Sequence, residues 1–280
     1  MTSPSPTVRR RELGARLRAL RLASGMTVED VAGRMEVSPA KISRIETAAR
    51  GVSVADVRFL CDLYRVSAEE RDRILSLTRE SKKRSWWQQY GLPESLATYI
   101  GLEESAVSIL EYESGTVPAL LQTREYARSM LEGSAPDMDD AVIDSLIDAR
   151  LGRQSRFQGS APAHLWAVVD ESVLHRVVGT PEVMRDQLLA MASRLPHVTV
   201  QVIPFEAGAH PGINSSFIIL ELEGSVPDVV YVEGLLGQHY LQSAQDLRRY
   251  RRVFDQLRAI ALSPRESQAR IAEMADDYAA

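Results

Sequence analysis

Ala40, Lys41, Ser43 and Arg44 fall on one side of a short helical pattern, and Ile42 and Ile45 fall on the other. A small, polar, cationic helix face backed by an apolar one suits a single task well. The major groove of DNA is wide enough for one helix, whose N-terminal residues meet base edges while the preceding helix crosses the backbone. On that basis Ala40, Lys41, Ser43 and Arg44 are the base-reading candidates. Ser38 and Thr47, with Arg9 to Arg11 and Arg50, are placed to touch phosphates, and Glu46 to orient an arginine.

Such a face needs a partner helix to hold it, and the preceding residues supply one. In "TVEDVAGRMEVSPAKISRIE", residues 27–46, Thr27 with Asp30 three positions later reads as an N-cap with an acidic capping-box partner. Val31, Ala32 and Met35 share a face, "EVS" turns the chain, and Val37 packs between the helices. Ser38 caps the second helix and Pro39 fits its first position. Around this pair, "RRRELGARLRALRLASG" places Leu13, Leu17, Leu20 and Leu22 along one side and stops at Ser24-Gly25. Ser53 caps a helix carrying Val54, Val57, Leu60, Cys61 and Tyr64. Ser67 with Glu70 opens a fifth, with Ile74 and Leu77 on its apolar side.

Charge agrees with this division. The net charge of −5 is uneven: residues 1–84 hold 18 Lys+Arg against 11 Asp+Glu, and the other 196 hold 15 against 27. The basic segment coincides with the two-helix motif, as a nucleic-acid surface should. All three lysines, Lys41, Lys82 and Lys83, lie in it, so lysine chemistry is excluded from the acidic part. The single Cys61 cannot form an internal disulfide and reads as a buried small hydrophobe. No apolar run is long enough to span a membrane, and no secretory signal opens the chain, so a cytoplasmic protein is expected, on the nucleoid when bound to DNA.

The acidic part opens on "SKKRSWWQQYG", where Trp86 and Trp87 are expected to anchor a second core. "LATYIGLEESAVSILEYES", "TREYARSML" and "DMDDAVIDSLIDARLGRQSRF" have helical spacing, the last with Asp137, Asp139 and Asp140 in its first turn. "AHLWAVVD", "VTVQVIPF", "SSFIILEL" and "DVVYVEG" read as strands. The helix of "GTPEVMRDQLLAMASRL" makes the first two a parallel pair, and "EGSVP" makes the last two a hairpin. Asp170-Glu171 is read as a helix cap, and two helices end the chain. Phosphate-loop, nucleophile-elbow and zinc motifs are lacking, and the five histidines have no ligand spacing, so no catalytic residue, metal or cofactor is expected. His210 and Asn214, in the loop of "PFEAGAHPGINSSF", and Tyr231 and Glu233 are the candidate ligand- or partner-binding residues.

The first segment, through "LGARLRALRLASGMTVEDVAGRMEVSPAKISRIE" and "VADVRFLCDLYRVS", resembles the XRE/Cro-repressor-like helix-turn-helix family over residues 11–70. "TVPALLQTREYARSML", "VVDESVLHRVVGTPEVMRDQL", "VTVQVIPFEAGAHPG" and "VVYVEG" look like a C-terminal domain of uncharacterised function fused to such domains in actinobacterial regulators. These include regulators resembling the WhiJ developmental regulators and the Scr-type antitoxin-like regulators. Ala119 stands where that family usually has glycine. The resemblance implies transcriptional control, often with a small partner protein encoded nearby.

The expected fold is thus an all-α, five-helix helix-turn-helix domain (1–81), a linker (82–92), and an α+β domain with a small mixed sheet that senses an effector or partner (93–280). Double-stranded operator DNA is the expected partner. A homodimer is expected as well, joined by the apolar face of "LRRYRRVFDQLRAIAL" or by the helices of residues 95–157. Two rival readings stay open: an enzyme in the C-terminal domain whose DNA-binding domain regulates its own operon, favoured by a convergent polar pocket around His210 and Glu233, and a C-terminal domain that is purely an oligomerisation and partner module.

Overall fold

A computed structural model describes residues 4–155, 163–193, 196–223, 226–234 and 237–279. The chain divides into two compact units, Met1–Gln88 with Glu223–Val226, and Gln89–Leu222 with Pro227–Ala280. The expected turn at Gly224 and Ser225, and the helix ends expected at Arg156–Phe157 and Arg194–Leu195, lie outside the described residues.

Five helices form the first unit: α1 (Pro6–Ala23), α2 (Val28–Arg34), α3 (Pro39–Glu46), α4 (Val54–Leu63) and α5 (Ala68–Glu80). Each starts at a serine or threonine, namely Ser5, Thr27, Ser38, Ser53 and Ser67, whose side-chain oxygen accepts from the amide three residues on. Each such cap stabilises its helix by about 1 kcal/mol. Each of the first four helices ends just before a residue at positive φ: Gly25 (67°), Glu36 (52°), Ala48 (60°) and Arg65 (53°). Only the first is glycine. The core joins Leu13, Leu17, Val31, Ala32, Ile42, Ile45, Val57, Leu60, Cys61 and Ile74. Leu22 does not join it and is exposed, because it lies two positions beyond Leu20 and such pairs do not share a helix face.

Two contacts fix α3 against α1. At Gly14 the helices approach so closely that a Cβ would sit 2.7 Å from the carbonyl oxygens of both Ile45 and Glu46. Two turns further along α1, Arg21 grips Glu46 with two bonds, Nε to Oε1 at 2.6 Å and Nη2 to Oε2 at 2.9 Å. Its Nη1 also donates to the Met26 carbonyl, 2.9 Å away. Trp86 and Trp87 meet edge to face at 5.7 Å and belong to this unit, not to the second core that the sequence suggested.

The second unit is built on a six-stranded sheet in the order β3-β2-β1-β4-β5-β6. Its strands are β1 (Ala106–Glu113), β2 (His164–Asp170), β3 (Val198–Ile203), β4 (Phe217–Leu222), β5 (Val229–Gly234) and β6 (Gly237–Leu241). β1, β2 and β3 run parallel and the other pairings are antiparallel. The expected parallel pair and hairpin are present. The sheet is larger than expected, since β1 and β6 add to the four strands read from the sequence. The segment read as wholly helical divides into α6 (Glu94–Ser105) and β1, with no glycine or proline between them.

One face of the sheet is covered by α11 (Ala244–Ile260), whose Phe254 and Leu257 pack on Tyr112, Val168, Ile203, Phe217, Ile219 and Val230. That apolar face is consumed within the unit and does not supply the dimer contact expected of it. On the other face α6 lies against β1 and β4, and α8 (Asp140–Gln154) is tied to it through Arg153 and Glu103. α7 (Arg124–Ser134) packs on α8 through Ala127, Ile143 and Ile147. Of the three aspartates expected in the first turn of α8, Asp140 lies there, Asp139 is the N-cap residue and Asp137 precedes it.

The edge of β3 is closed by the start of α12 (Pro264–Asp277). Leu262 donates to the Val202 carbonyl at 2.8 Å, and the Ser267 hydroxyl accepts from the Val202 amide at 2.9 Å, so the strand edge is closed at Val202. After β2 only Asp170 caps the four-residue α9 (Ser172–His175), by accepting from the Ser172 amide. Glu171, expected to share that role, is turned inward to the Phe205 amide and Arg270.

Gly14→Ala tests the α1–α3 contact. Alanine raises helix propensity by about 1 kcal/mol, but overpacking two backbone carbonyls costs about 1–3 kcal/mol. A net loss is expected, read as a lower denaturation midpoint, with faster amide exchange in α3. An unchanged or raised midpoint would show that the close approach is not a constraint.

Candidate nucleic-acid interface and polar cleft

α3 is one face apolar and one face free. Ile42 and Ile45 are buried, whereas Ser38, Ala40, Ser43, Arg44, Thr47 and Arg50 are exposed. Several of these groups already have partners. Ser38 Oγ accepts from the Lys41 amide at 3.3 Å, and Thr47 Oγ1 donates to the Ser43 carbonyl at 2.9 Å. Lys41 is half-buried, with Nζ 3.4 Å from Asp56 of α4, so any DNA contact must compete with that carboxylate. Arg9 is paired with Glu12 and Glu80, both at 2.9 Å, which binds it to its own unit. Glu46 does orient an arginine, and that arginine is Arg21.

In the second unit, the four expected ligand residues divide into two places. His210 is buried beneath the loop after β3, with Nε2 3.2 Å from Asp170 Oδ2 and its ring edge-on to Tyr112 at 6.1 Å. This is the α11 side of the sheet, to which Tyr112 belongs. Gly212 permits the arrangement, since a Cβ there would strike the Tyr112 ring at 2.5 Å. His210 Nδ1 and the Tyr112 hydroxyl are both buried without a hydrogen-bond partner among the described residues. Asn214 is exposed nearby.

Tyr231 and Glu233 lie elsewhere. They line a cleft of about 540 Å³ between α6, α8 and strands β1, β4 and β5. No convergent pocket joins His210 to Glu233, so the geometry expected of the enzyme reading is missing among the described residues. The cleft's other charged groups, Glu111, Glu113, Arg150 and Arg153, were not singled out in the sequence. β1 places Glu111 and Glu113 on the same face by strand alternation. Arg153 makes two bonds to Glu103, 2.8 and 2.7 Å, with both side chains almost wholly buried. Burial disfavours the charge on Arg153, but Glu103 outweighs it, and the guanidinium is held more basic than usual.

The neighbouring groups have no such match. Burial raises Glu111 well above the carboxylate range, and Glu113 and Glu103 push it further. Burial also raises Glu113, to about 7, against a lowering hydrogen bond from Ser216. Arg150 is brought down to about 10, by burial first and then by Arg153. The Tyr231 hydroxyl donates to Glu233 at 3.0 Å, and Tyr99 and Tyr231 pack with ring centres 4.5 Å apart.

A wider cleft of about 710 Å³ lies beside β3 and α12, but apart from Arg265 its lining is uncharged and offers little to orient a ligand. Among the described residues no His/Cys/Asp/Glu group is arranged to hold a metal ion, and no helix is long and apolar enough to cross a membrane. Ala119, where the resembled family has glycine, begins a short 3-10 turn after Pro118 and is not at positive φ, so alanine fits it.

Comparison with curated proteins and with solved structures gives no match for this chain. Two families do match. Residues 12–74 match a helix-turn-helix domain, the fold of DNA-binding regulators, and they span α2, α3, α4 and most of α1 and α5. Residues 96–273 match a domain of unknown function, DUF5753, and span the whole sheet with its covering helices. The second match takes in well over half of the chain, which therefore belongs to the DUF5753 family, with a helix-turn-helix domain at its N-terminus.

Proposed function

We propose that the protein is a sequence-specific, DNA-binding transcriptional regulator whose C-terminal domain binds an effector or a small partner protein. The observation that carries this is the exposed polar face of α3, held on a helix whose other face is locked into the core. In this reading Ala40, Lys41, Ser43 and Arg44 read base edges, and Ser38, Thr47 and Arg50 hold phosphates. The working domains are residues 1–81 and 93–280, joined by 82–92. The protein acts in the cytoplasm on the nucleoid, as a homodimer on two half-sites about one helical turn apart. Regulation of the WhiJ-like or antitoxin-like kind fits this arrangement.

Arg44→Ala is expected to weaken binding to the operator by about 1–3 kcal/mol while leaving random DNA little changed. An equal loss on both would make Arg44 a phosphate contact. Lys41→Ala should cost less, because Asp56 holds the ammonium in the free protein. The operator for these titrations comes from mapping the sites the protein occupies in its own genome. Light scattering should find two chains on each operator, and one chain both free and bound would remove the dimer.

The regulatory role of the second domain is tested by deleting residues 85–280 and measuring DNA affinity and promoter output. An effector-coupled domain shifts DNA affinity by about 1–3 kcal/mol between its two states. A truncated protein that binds DNA and no longer responds to growth conditions supports the reading. One that binds and regulates as the whole chain does under every condition overturns it.

A further inference from the structure

The cleft lined by Tyr231 and Glu233 has a composition that selects a ligand class. Its volume, about 540 Å³, lies within the usual range for small-molecule sites. Three carboxylates line it, Glu111, Glu113 and Glu233, against two guanidiniums. Arg153 is already neutralised by Glu103. That leaves Arg150 against three acids, so the cleft becomes negative as its carboxyls ionise. Glu111 is the decisive group. It is 2% exposed, faces the cavity, and has neither a hydrogen bond nor a basic group at ion-pair distance among the described residues. A buried polar group of this kind normally has a partner, and its lack points to one that arrives from outside. Beside the acids stand the paired rings of Tyr99 and Tyr231, an apolar wall, with the Arg153 guanidinium already over the Tyr99 ring at 5.2 Å from its centre.

We propose that this cleft binds a small organic cation, an ammonium or amidinium on an apolar body, with the charge between Glu111 and Glu113 and the body against Tyr99 and Tyr231. The inference rests on the effector-binding reading of this domain and gives it a site and a ligand class.

The charge state of the site supplies a pH signature. The groups that interact with Glu113 are Glu111 on its own strand, Glu233 on β5, the Ser216 hydroxyl, Tyr112 beside it and Tyr126 on α7; Arg150 and Arg153 of α8 line the same cleft, and Glu103 of α6 acts on Glu111. With Glu113 titrating at about 7, this carboxyl is largely protonated in the empty cleft below neutrality and ionised above it. A cation favours the ionised form. Its affinity is therefore lower at acid pH and rises through neutrality, with protons released on binding.

The test titrates the full-length protein with benzamidine and with phenethylamine by calorimetry. Benzamide and phenylacetate serve as neutral and anionic counterparts. Both probes stay cationic at about pH 6 and at about pH 8, so any change between these conditions comes from the protein. Expected are dissociation constants near the millimolar range, tightening about tenfold between the two conditions as the ionised share of Glu113 grows from about a tenth to about nine tenths. Glu113→Gln should remove the pH dependence, and Glu111→Gln should weaken both cations about tenfold or more. The wild-type comparison stands alone if either variant does not fold.

No heat from either cation up to about 10 mM overturns the proposal. So does benzamide binding as tightly as benzamidine, or phenylacetate binding in preference. Binding of the cations with no change in DNA affinity would keep the cation site and remove its effector role. A response lost on truncation, with no cation binding, would keep the effector role and remove this site.

Discussion

A carboxylate taken out of water must be met by a guanidinium, and this constraint organises both units of the protein. Arg21–Glu46, Arg153–Glu103 and Arg270–Glu171 all have an acid that is almost completely buried. The partners lie 25, 50 and 99 residues apart, so none of the three stabilises a single helix. Each joins different elements: α1 to α3, α6 to α8, and α12 to the end of β2. Desolvating an ion costs several kcal/mol, which only well-aligned geometry recovers. The planar fork of arginine provides that alignment where lysine's single point of charge does not. A chain with 30 arginines and three lysines is suited to this construction.

For α3 the constraint has a direct effect. α3 is only eight residues long and would not hold its shape alone. Its N-terminus is set by Ser38 and Pro39, its inner face by Ile42 and Ile45, and its C-terminus by Gly14 and Arg21 of α1. What remains exposed is the set of side chains facing outward. Thr47 is bonded back to its own helix and Lys41 is drawn towards Asp56, which leaves Arg44 and Ser43 as the least committed donors on that surface. Rigid backbone with free side chains is what base readout requires, because a misplaced helix loses every contact together.

Most of the first unit was legible in the sequence because its signals are local. A cap and the amide it binds are three residues apart, and Thr27, Ser38, Ser53 and Ser67 each opened a helix where the sequence placed one. The second unit was legible where periodicity was clean, as in β2–β5. It was not legible at β1. Both faces of that strand are covered, so the alternation that marks a half-exposed strand is absent. Glu111 and Glu113 on its buried side looked like a helix's solvated face, and no punctuation separates Ser105 from Ala106. β6, "GQHYL", is polar and lies at the sheet's edge, with little apolar signal to find. Glu46 could be seen to need an arginine, but which one depends on how α1 crosses α3, and that distance is tertiary. The cleft was half legible. Tyr231 and Glu233 sit on a recognisable strand, whereas Glu111 and Glu113 were hidden with β1, and Arg150 and Arg153 acquire meaning only once α8 lies across the sheet.

The same constraint explains why the cleft is the unusual part of this molecule. The buried carboxylates of Glu46, Glu103 and Glu171 each have a guanidinium, and Glu111 has none at ion-pair distance among the described residues. A carboxyl whose folded pKa is raised makes the native state hold its proton more tightly than the unfolded chain does. Stability from that group is greatest below the ordinary carboxylate range and is lost as the pH rises towards about 7. At neutral pH the free domain therefore carries an electrostatic cost that selection for stability alone would have removed, most simply by replacing either glutamate with an uncharged residue. A cation between the two acids turns that cost into binding free energy, because it stabilises the ionised form that the empty cleft disfavours. Stability given up in the free state and regained on binding is a common mark of a functional site, and here it falls on the strand at the centre of the sheet.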